Sequence, residues 1–212
     1  MLKRALFFVL APFAIYIAFY YAYERSEETR ERRHAHRPVD IAERLLTLAK
    51  VGPDDTLVDL ECGDGTLSVL AARKYRARSI CIDTFPRRIL DIRDRVRAEG
   101  LESLITVKQE GWKTADLSPA TVVALFATTP WDRSIRGKLT KELRPGVRIV
   151  AWFRSLGAWE PAHAEMFQST DEREPTSLML WIADGKYRPT RFGEAPFRLQ
   201  SPDHQVTKSP NS

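Results

Sequence analysis

The chain reads as an α/β protein: a mostly parallel, seven-stranded sheet with a terminal antiparallel strand pair, preceded by an N-terminal transmembrane helix. Three observations carry that reading. Strand-like apolar runs alternate with amphipathic stretches between residues 39 and 154, the order that yields parallel strands joined by crossover helices. The first alternation contains Leu57-Val58-Asp59-Leu60-Glu61-Cys62-Gly63-Asp64-Gly65, an apolar strand that runs into a small-residue turn and opens a helix-like stretch from Thr66. Two further strand-like runs, 164–168 and 177–182, then follow one another with no helix between them.

Taken in order, residues 5–23 carry no charge, close to the ~20 residues needed to cross a bilayer. Lys3 and Arg4 precede them, and Tyr16, Tyr20, Tyr21 and Tyr23 crowd the far half as an interfacial aromatic belt would. Residues 1–23 are therefore expected to form an uncleaved membrane anchor. A cleaved signal peptide is the alternative, but Phe19-Tyr20-Tyr21 followed by Glu24-Arg25 lacks the small residues of a cleavage site. Arg25, Arg30, Arg32, Arg33 and Arg37 follow the span, so the positive-inside rule puts the remaining chain on the cytoplasmic or mitochondrial matrix side. Residues 24–37 read as a charged stalk.

The domain proper is expected over 38–184. Ile41, Leu45, Leu48 and Ala49 recur at helical spacing and predict an amphipathic helix over 39–50, ended by Gly52-Pro53. Strands are expected at 56–61, 78–83, 105–109, 121–127 and 148–154, with helices at 65–76, 86–98 and 131–143. Pro86 stands in the first turn of its helix, where a missing N–H is harmless. The runs at 122–126 and 147–153 are almost continuously apolar, as in strands covered on both faces. From Gly185 onward Pro, Ser, Arg and Lys dominate, which predicts a mobile basic tail over 185–212.

The chain has 212 residues, 43% hydrophobic and 29% charged, with a formal net charge of +5. Its basic residues alternate with acids, as in Arg93-Asp94-Arg95-Val96-Arg97-Ala98-Glu99. A nucleic-acid surface would gather them into a stripe with aromatic partners, so nucleic acid is not expected as a partner. The two cysteines, Cys62 and Cys81, suit a reducing compartment, and no Cys/His spacing resembles a metal site.

The turn carries the chemistry. Gly63 and Gly65 have no Cβ, accept positive φ, and let a backbone approach a nucleotide-like ligand. Asp83 ends the second strand 18 positions after Gly65, where a carboxylate can accept from ribose hydroxyls. Blander roles remain open: Asp59 and Asp64 could cap the next helix, and Asp83 could be a turn residue. Glu61 stands where a third glycine is expected.

These residues, together with Leu46-Thr47-Leu48-Ala49-Lys50-Val51-Gly52-Pro53, Ile82-Asp83 with Pro86, Asp116-Leu117-Ser118 and Leu143-Arg144-Pro145-Gly146 before a strand, resemble the class I S-adenosyl-L-methionine (SAM)-dependent methyltransferases. Within that class the chain is most similar to the small membrane-anchored protein lysine methyltransferases of the FAM173 type, over roughly 39–184. The resemblance implies a Rossmann-like methyltransferase sandwich, SAM as cofactor, and methyl transfer to a protein lysine. It further implies a cofactor-binding set of Asp59, Glu61, Cys62, Gly63, Asp64, Gly65, Asp83 and Glu110. In that set Asp59 orients the methionine amino end, Gly63 and Gly65 pass beneath the cofactor, and Asp83 binds the ribose.

Three departures qualify the match. Glu61 replaces a glycine, which implies strain of ~1–3 kcal/mol if φ is positive, and a like-charge contact with the cofactor's carboxylate unless a cation intervenes. Gln109-Glu110-Gly111-Trp112 places an acid one position early, with Trp112 either stacking on adenine or filling core. The segment 33–38 lacks the subgroup's Pro-aromatic-Val-Pro sequence, and Ala151-Trp152-Phe153-Arg154 replaces a more polar stretch. Thr128-Thr129-Pro130-Trp131 is the expected substrate lining, and no catalytic residue stands out. Two other readings stay open. One is a degenerate methyltransferase fold serving as a membrane-tethered binding module. The other is an NAD-binding oxidoreductase, since Gly63, Gly65 and Ser68 approximate G-x-G-x-x-G.

Overall fold

The alternation of the sequence becomes an α/β sandwich in the computed structural model, which describes residues 17, 36–125, 134–152, 155–186, 188 and 206–208. Helix α1 (Val39–Leu48) leads into β1 (Thr56–Leu60), α2 (Thr66–Tyr75), β2 (Arg78–Asp83), α3 (Pro86–Ala98), β3 (Ile105–Gln109) and β4 (Val122–Leu125). Helix α4 (Ser134–Glu142), β5 (Arg148–Trp152), β6 (His163–Gln168), β7 (Thr176–Ile182) and β8 (Val206–Lys208) complete the described chain. The strand order is β3-β2-β1-β4-β5-β7-β6-β8. Strands β1 to β5 pair in parallel, and β7 pairs antiparallel with both β5 and β6, as the helix-free connection between the last long strands requires.

One expectation about the fold is extended and one is corrected. To the seven expected strands the described residues add a short eighth, Val206–Lys208, which lies parallel to β6 inside the segment expected to be a mobile tail. The N-terminal transmembrane helix is the one corrected: no helix among the described residues is long and apolar enough to cross a membrane. The longest of them, α3, has 13 residues, short of the ~20 a bilayer demands. Residues 5–23, where that helix was expected, lie outside the described residues, as does most of 185–212.

Alternation along β1 divides the core. Leu57 packs with Ile41, Leu45, Leu67 and Val122 beneath α1 and α2. Val58 and Leu60 face the other way, with Val123, Ile135, Leu139 and Ile149 beneath α4. Helix α3 buries Ile92 and Val96 against Val69, Cys81 and Ile105. Both faces of the central strands are thus covered, and all four β4 residues are buried.

Neighbouring parallel strands also bring the cysteines together. Cys62 just beyond β1 and Cys81 in β2 have Cα atoms 5.5 Å apart and form a disulfide, within the reach such a bond requires. This corrects the expectation of two reduced thiols.

Candidate functional site

The site begins where β1 ends. Glu61, Gly63 and Gly65 have φ of 56°, 63° and 75°, so every second residue of the turn is left-handed. This curls the backbone from the strand into α2. Cys62 N–H donates to the Ile82 carbonyl at 2.9 Å, and Gly65 N–H donates to the Cys62 carbonyl at 2.9 Å. A Cβ at Gly65 would add crowding to its left-handed φ, standing 3.2 Å from Cγ2 of Ile92 on α3. Asp64 stands one residue before Gly65, the N-cap of α2, and its Oδ1 accepts from Thr66 N–H at 3.0 Å.

Asp59 is fully buried at 0% exposure. Its Oδ2 accepts from the Ser68 hydroxyl at 2.9 Å, and Ser68 Oγ in turn accepts from Ser79 Oγ at 2.9 Å. Its Oδ1 is buried with no hydrogen-bond partner among the described residues. Desolvation pushes the carboxyl up to about 7, against the opposing pull of the Ser68 hydrogen bond and the Arg37 charge. An orphaned acceptor of this kind is costly unless a donor arrives.

Asp83, 1% exposed, closes the other side. Its Oδ2 accepts from Gly63 N–H at 3.1 Å and its Oδ1 from Phe85 N–H at 2.9 Å. Arg88 Nη1 lies 3.5 Å from Oδ2, with the Arg88 guanidinium 4.2 Å above the Phe85 ring. The glycine turn, one orphaned acid and one strand-end acid therefore meet at the carboxyl ends of β1 and β2. In open α/β sheets ligands bind outside those ends, near the point where strand order reverses. Here the order reverses between β1 and β4.

Glu110 reaches the same edge through its backbone, where its N–H donates to the Asp83 carbonyl at 3.1 Å. Its Oε1 lies 3.7 Å from Lys108 Nζ. Trp112 packs against the core beneath α4, which favours the core role over adenine stacking. Thr128-Thr129-Pro130-Trp131 and Phe153-Arg154 fall outside the described residues. No group of three or more His, Cys, Asp or Glu among the described residues could hold a metal ion.

Arg37 belongs to this site although the sequence places it in the charged stalk: it is 2% exposed. Its Nη2 donates to the Glu61 carbonyl at 3.0 Å and its backbone N–H to Asp64 Oδ2 at 3.1 Å. Its one sequence signal was its place directly before Pro38, at the head of an amphipathic helix whose apolar face had to dock. Ser68 is legible only as the third small position of the G-x-G-x-x-G-like run, and Ser79 only as a small polar residue on an inward-facing position.

A family model described as the ANTKMT methyltransferase domain matches residues 59–163. A protein-lysine N-methyltransferase from Saccharolobus islandicus (strain REY15A) is 30% identical over 146 residues, 68% of this chain and 89% of that protein. Among solved structures, an RNA methyltransferase from Salinibacter ruber in complex with S-adenosyl-L-homocysteine has a TM-score of 0.63 at 27% identity, covering 73% of this chain and 97% of the other. The C-terminal domain of precorrin-6Y C5,15-methyltransferase from Rhodobacter capsulatus has a TM-score of 0.52 at 20% identity, covering 68% and 87%; that likeness is one of fold.

Proposed function

The chain belongs to the ANTKMT family of SAM-dependent methyltransferases, and we propose that it transfers a methyl group to a lysine side chain of a protein. The observation that supports a working cofactor site is the buried Oδ1 of Asp59, which has no partner among the described residues and lies beside a glycine turn. SAM, when bound, supplies a methyl group on a positively charged sulfur. The residues present suit it: Asp59 offers an acceptor to its ammonium, Asp83 offers lone pairs to a ribose, and Gly63 brings backbone rather than side chain to the ligand. Glu110, whose N–H donates to the Asp83 carbonyl at the same edge, would face the adenine. Methyl transfer from a sulfonium depends chiefly on in-line positioning, so a site without an acid–base triad is chemically sufficient.

The protein-lysine acceptor draws on the Saccharolobus islandicus relative, which is a protein-lysine N-methyltransferase. The interleaved charges of α3, where Arg95 pairs with Glu99 and Arg97 with Asp94, offer little to a phosphate backbone and favour protein over RNA. The test uses the full chain with radiolabelled SAM, a panel of lysine-containing protein extracts, and total RNA. Label is expected on lysine of a protein band. Label on RNA alone would overturn the acceptor assignment, and an absence of SAM binding by calorimetry would overturn the site itself.

A further inference from the structure

Arg37 buries a cation inside an acidic turn. Burial lowers the guanidinium's pKa, while the charges of Asp59, Asp64 and Asp83 raise it and that of Arg88 lowers it. A charge taken out of water in this way is expensive unless it is paired or put to use. One residue, 24 positions upstream of Glu61, holds the turn at both ends: the side chain at the Glu61 carbonyl and the backbone at Asp64. The guanidinium is thereby fixed within the field of Asp59, whose Oδ1 still lacks a partner among the described residues. The site thus combines an unpartnered acid oxygen with a buried guanidinium whose charge acts on the same acid. That is the complement of a zwitterion whose ammonium and carboxylate share one carbon.

Resting on the SAM reading of this site, we propose that Arg37 is the receptor for the α-carboxylate of the cofactor, with Asp59 Oδ1 receiving the neighbouring ammonium. The guanidinium presents its donors in a planar fork that matches a carboxylate. It is also the cation that relieves the like-charge contact between that carboxylate and the Glu61 position. Arg37 is a binding residue outside the glycine turn, supplied by the segment that leads into α1.

Calorimetry on the full chain tests this with four ligands: SAM, S-adenosyl-L-homocysteine, decarboxylated SAM, and 5′-methylthioadenosine. The last two lack the carboxylate. Arg37→Met should weaken SAM and S-adenosyl-L-homocysteine roughly 10- to 100-fold and leave the other two within about threefold, the scale of a charge-assisted hydrogen bond. Arg37→Lys, which keeps the charge and loses the fork, should fall between. The wild-type chain alone should prefer SAM to decarboxylated SAM by a similar factor, which keeps the test available if Arg37→Met does not fold. Equal weakening of all four ligands, or none for SAM, would overturn the assignment of Arg37 and leave the cofactor site standing. A wild-type chain that binds neither SAM nor 5′-methylthioadenosine would take down both.

Discussion

Glu61 departs most sharply from the glycine pattern, and the structure tells which part of that departure matters. Its φ of 56° lies where a Cβ crowds the backbone, a cost of about 1–2 kcal/mol for an ordinary residue. The turn needs that conformation because Gly63 and Gly65 are left-handed as well. What Glu61 gives the site through its backbone is a carbonyl, to which Arg37 donates, and any residue supplies a carbonyl. Glu61→Gly should therefore relieve strain at the expense of unfolded-state entropy, for a net gain of up to about 1 kcal/mol. In a chain of this size that is a rise in Tm of roughly 2–4 °C. SAM affinity should stay within about threefold, less than one charge-assisted bond. A lower Tm, or a tenfold change in Kd, would show that the glutamate side chain itself serves the site. The same residue separates what was legible from what was not. The turn, its glycines and Asp83 could be read because small residues at fixed spacing have few alternatives. Arg37 could not, because a basic residue in a basic segment looks like a solvated charge until the helix behind it docks.

At the scale of elements, the parallel order and the final antiparallel pair were legible for the same physical reason: apolar runs covered on both faces have nowhere else to go. Predicted strands 78–83 and 105–109 coincide with β2 and β3. Strand β8 was not legible, because three residues in a polar, proline-containing segment carry no periodicity to detect. Nor was the disulfide, since pairing depends on strand adjacency, not on spacing in sequence. The bond joins the turn after β1 to the middle of β2, two residues before Asp83, across a separation of 19 residues. Loop-closure entropy for a ring of that length gives roughly 3 kcal/mol, model-dependent. At the sensitivity expected for a chain of about this length, reduction should lower Tm by roughly 6–12 °C, measured by melts with and without a dithiol reductant. Because the clamped segment carries both Gly63 and Asp83, SAM affinity should fall in parallel. A Cys62→Ser, Cys81→Ser double variant whose Tm matches the oxidised wild type would remove the bond from the list of stabilising features.

Across the whole molecule, two sets of carboxylates pull stability in opposite directions with pH. Asp40 accepts from Ser169 and Thr170, Asp55 from Thr121, Gly52 and Arg148, and Glu165 from Arg44 and His163. Together they tie α1 to the β6 side of the sheet and β1 to its neighbours. Burial works to raise each of them, but the donated hydrogen bonds, joined at Asp55 and Glu165 by adjacent cations, outweigh it, and all three sit below their ordinary values. Their contribution is present above the unfolded-state value of about 4 and disappears as pH falls below it. Asp59 runs the other way: with its carboxyl pushed up to about 7, its contribution is complete below about pH 4 and is lost as pH rises towards 7, by at most ~1.4 kcal/mol per pH unit. The ligand-free chain should therefore be most stable near pH 4–5, where the acid-side losses end and the Asp59 loss begins. Asp59→Asn removes the second slope, so its Tm should decline less than wild type between pH 5 and 8. Saturating SAM, whose ammonium favours the ionised carboxylate, should flatten the wild-type slope in the same range and leave the Asn variant's slope unchanged. Parallel wild-type and Asp59→Asn profiles, with and without SAM, would mean that Asp59 is ionised throughout and that its buried oxygen is satisfied by something other than the cofactor.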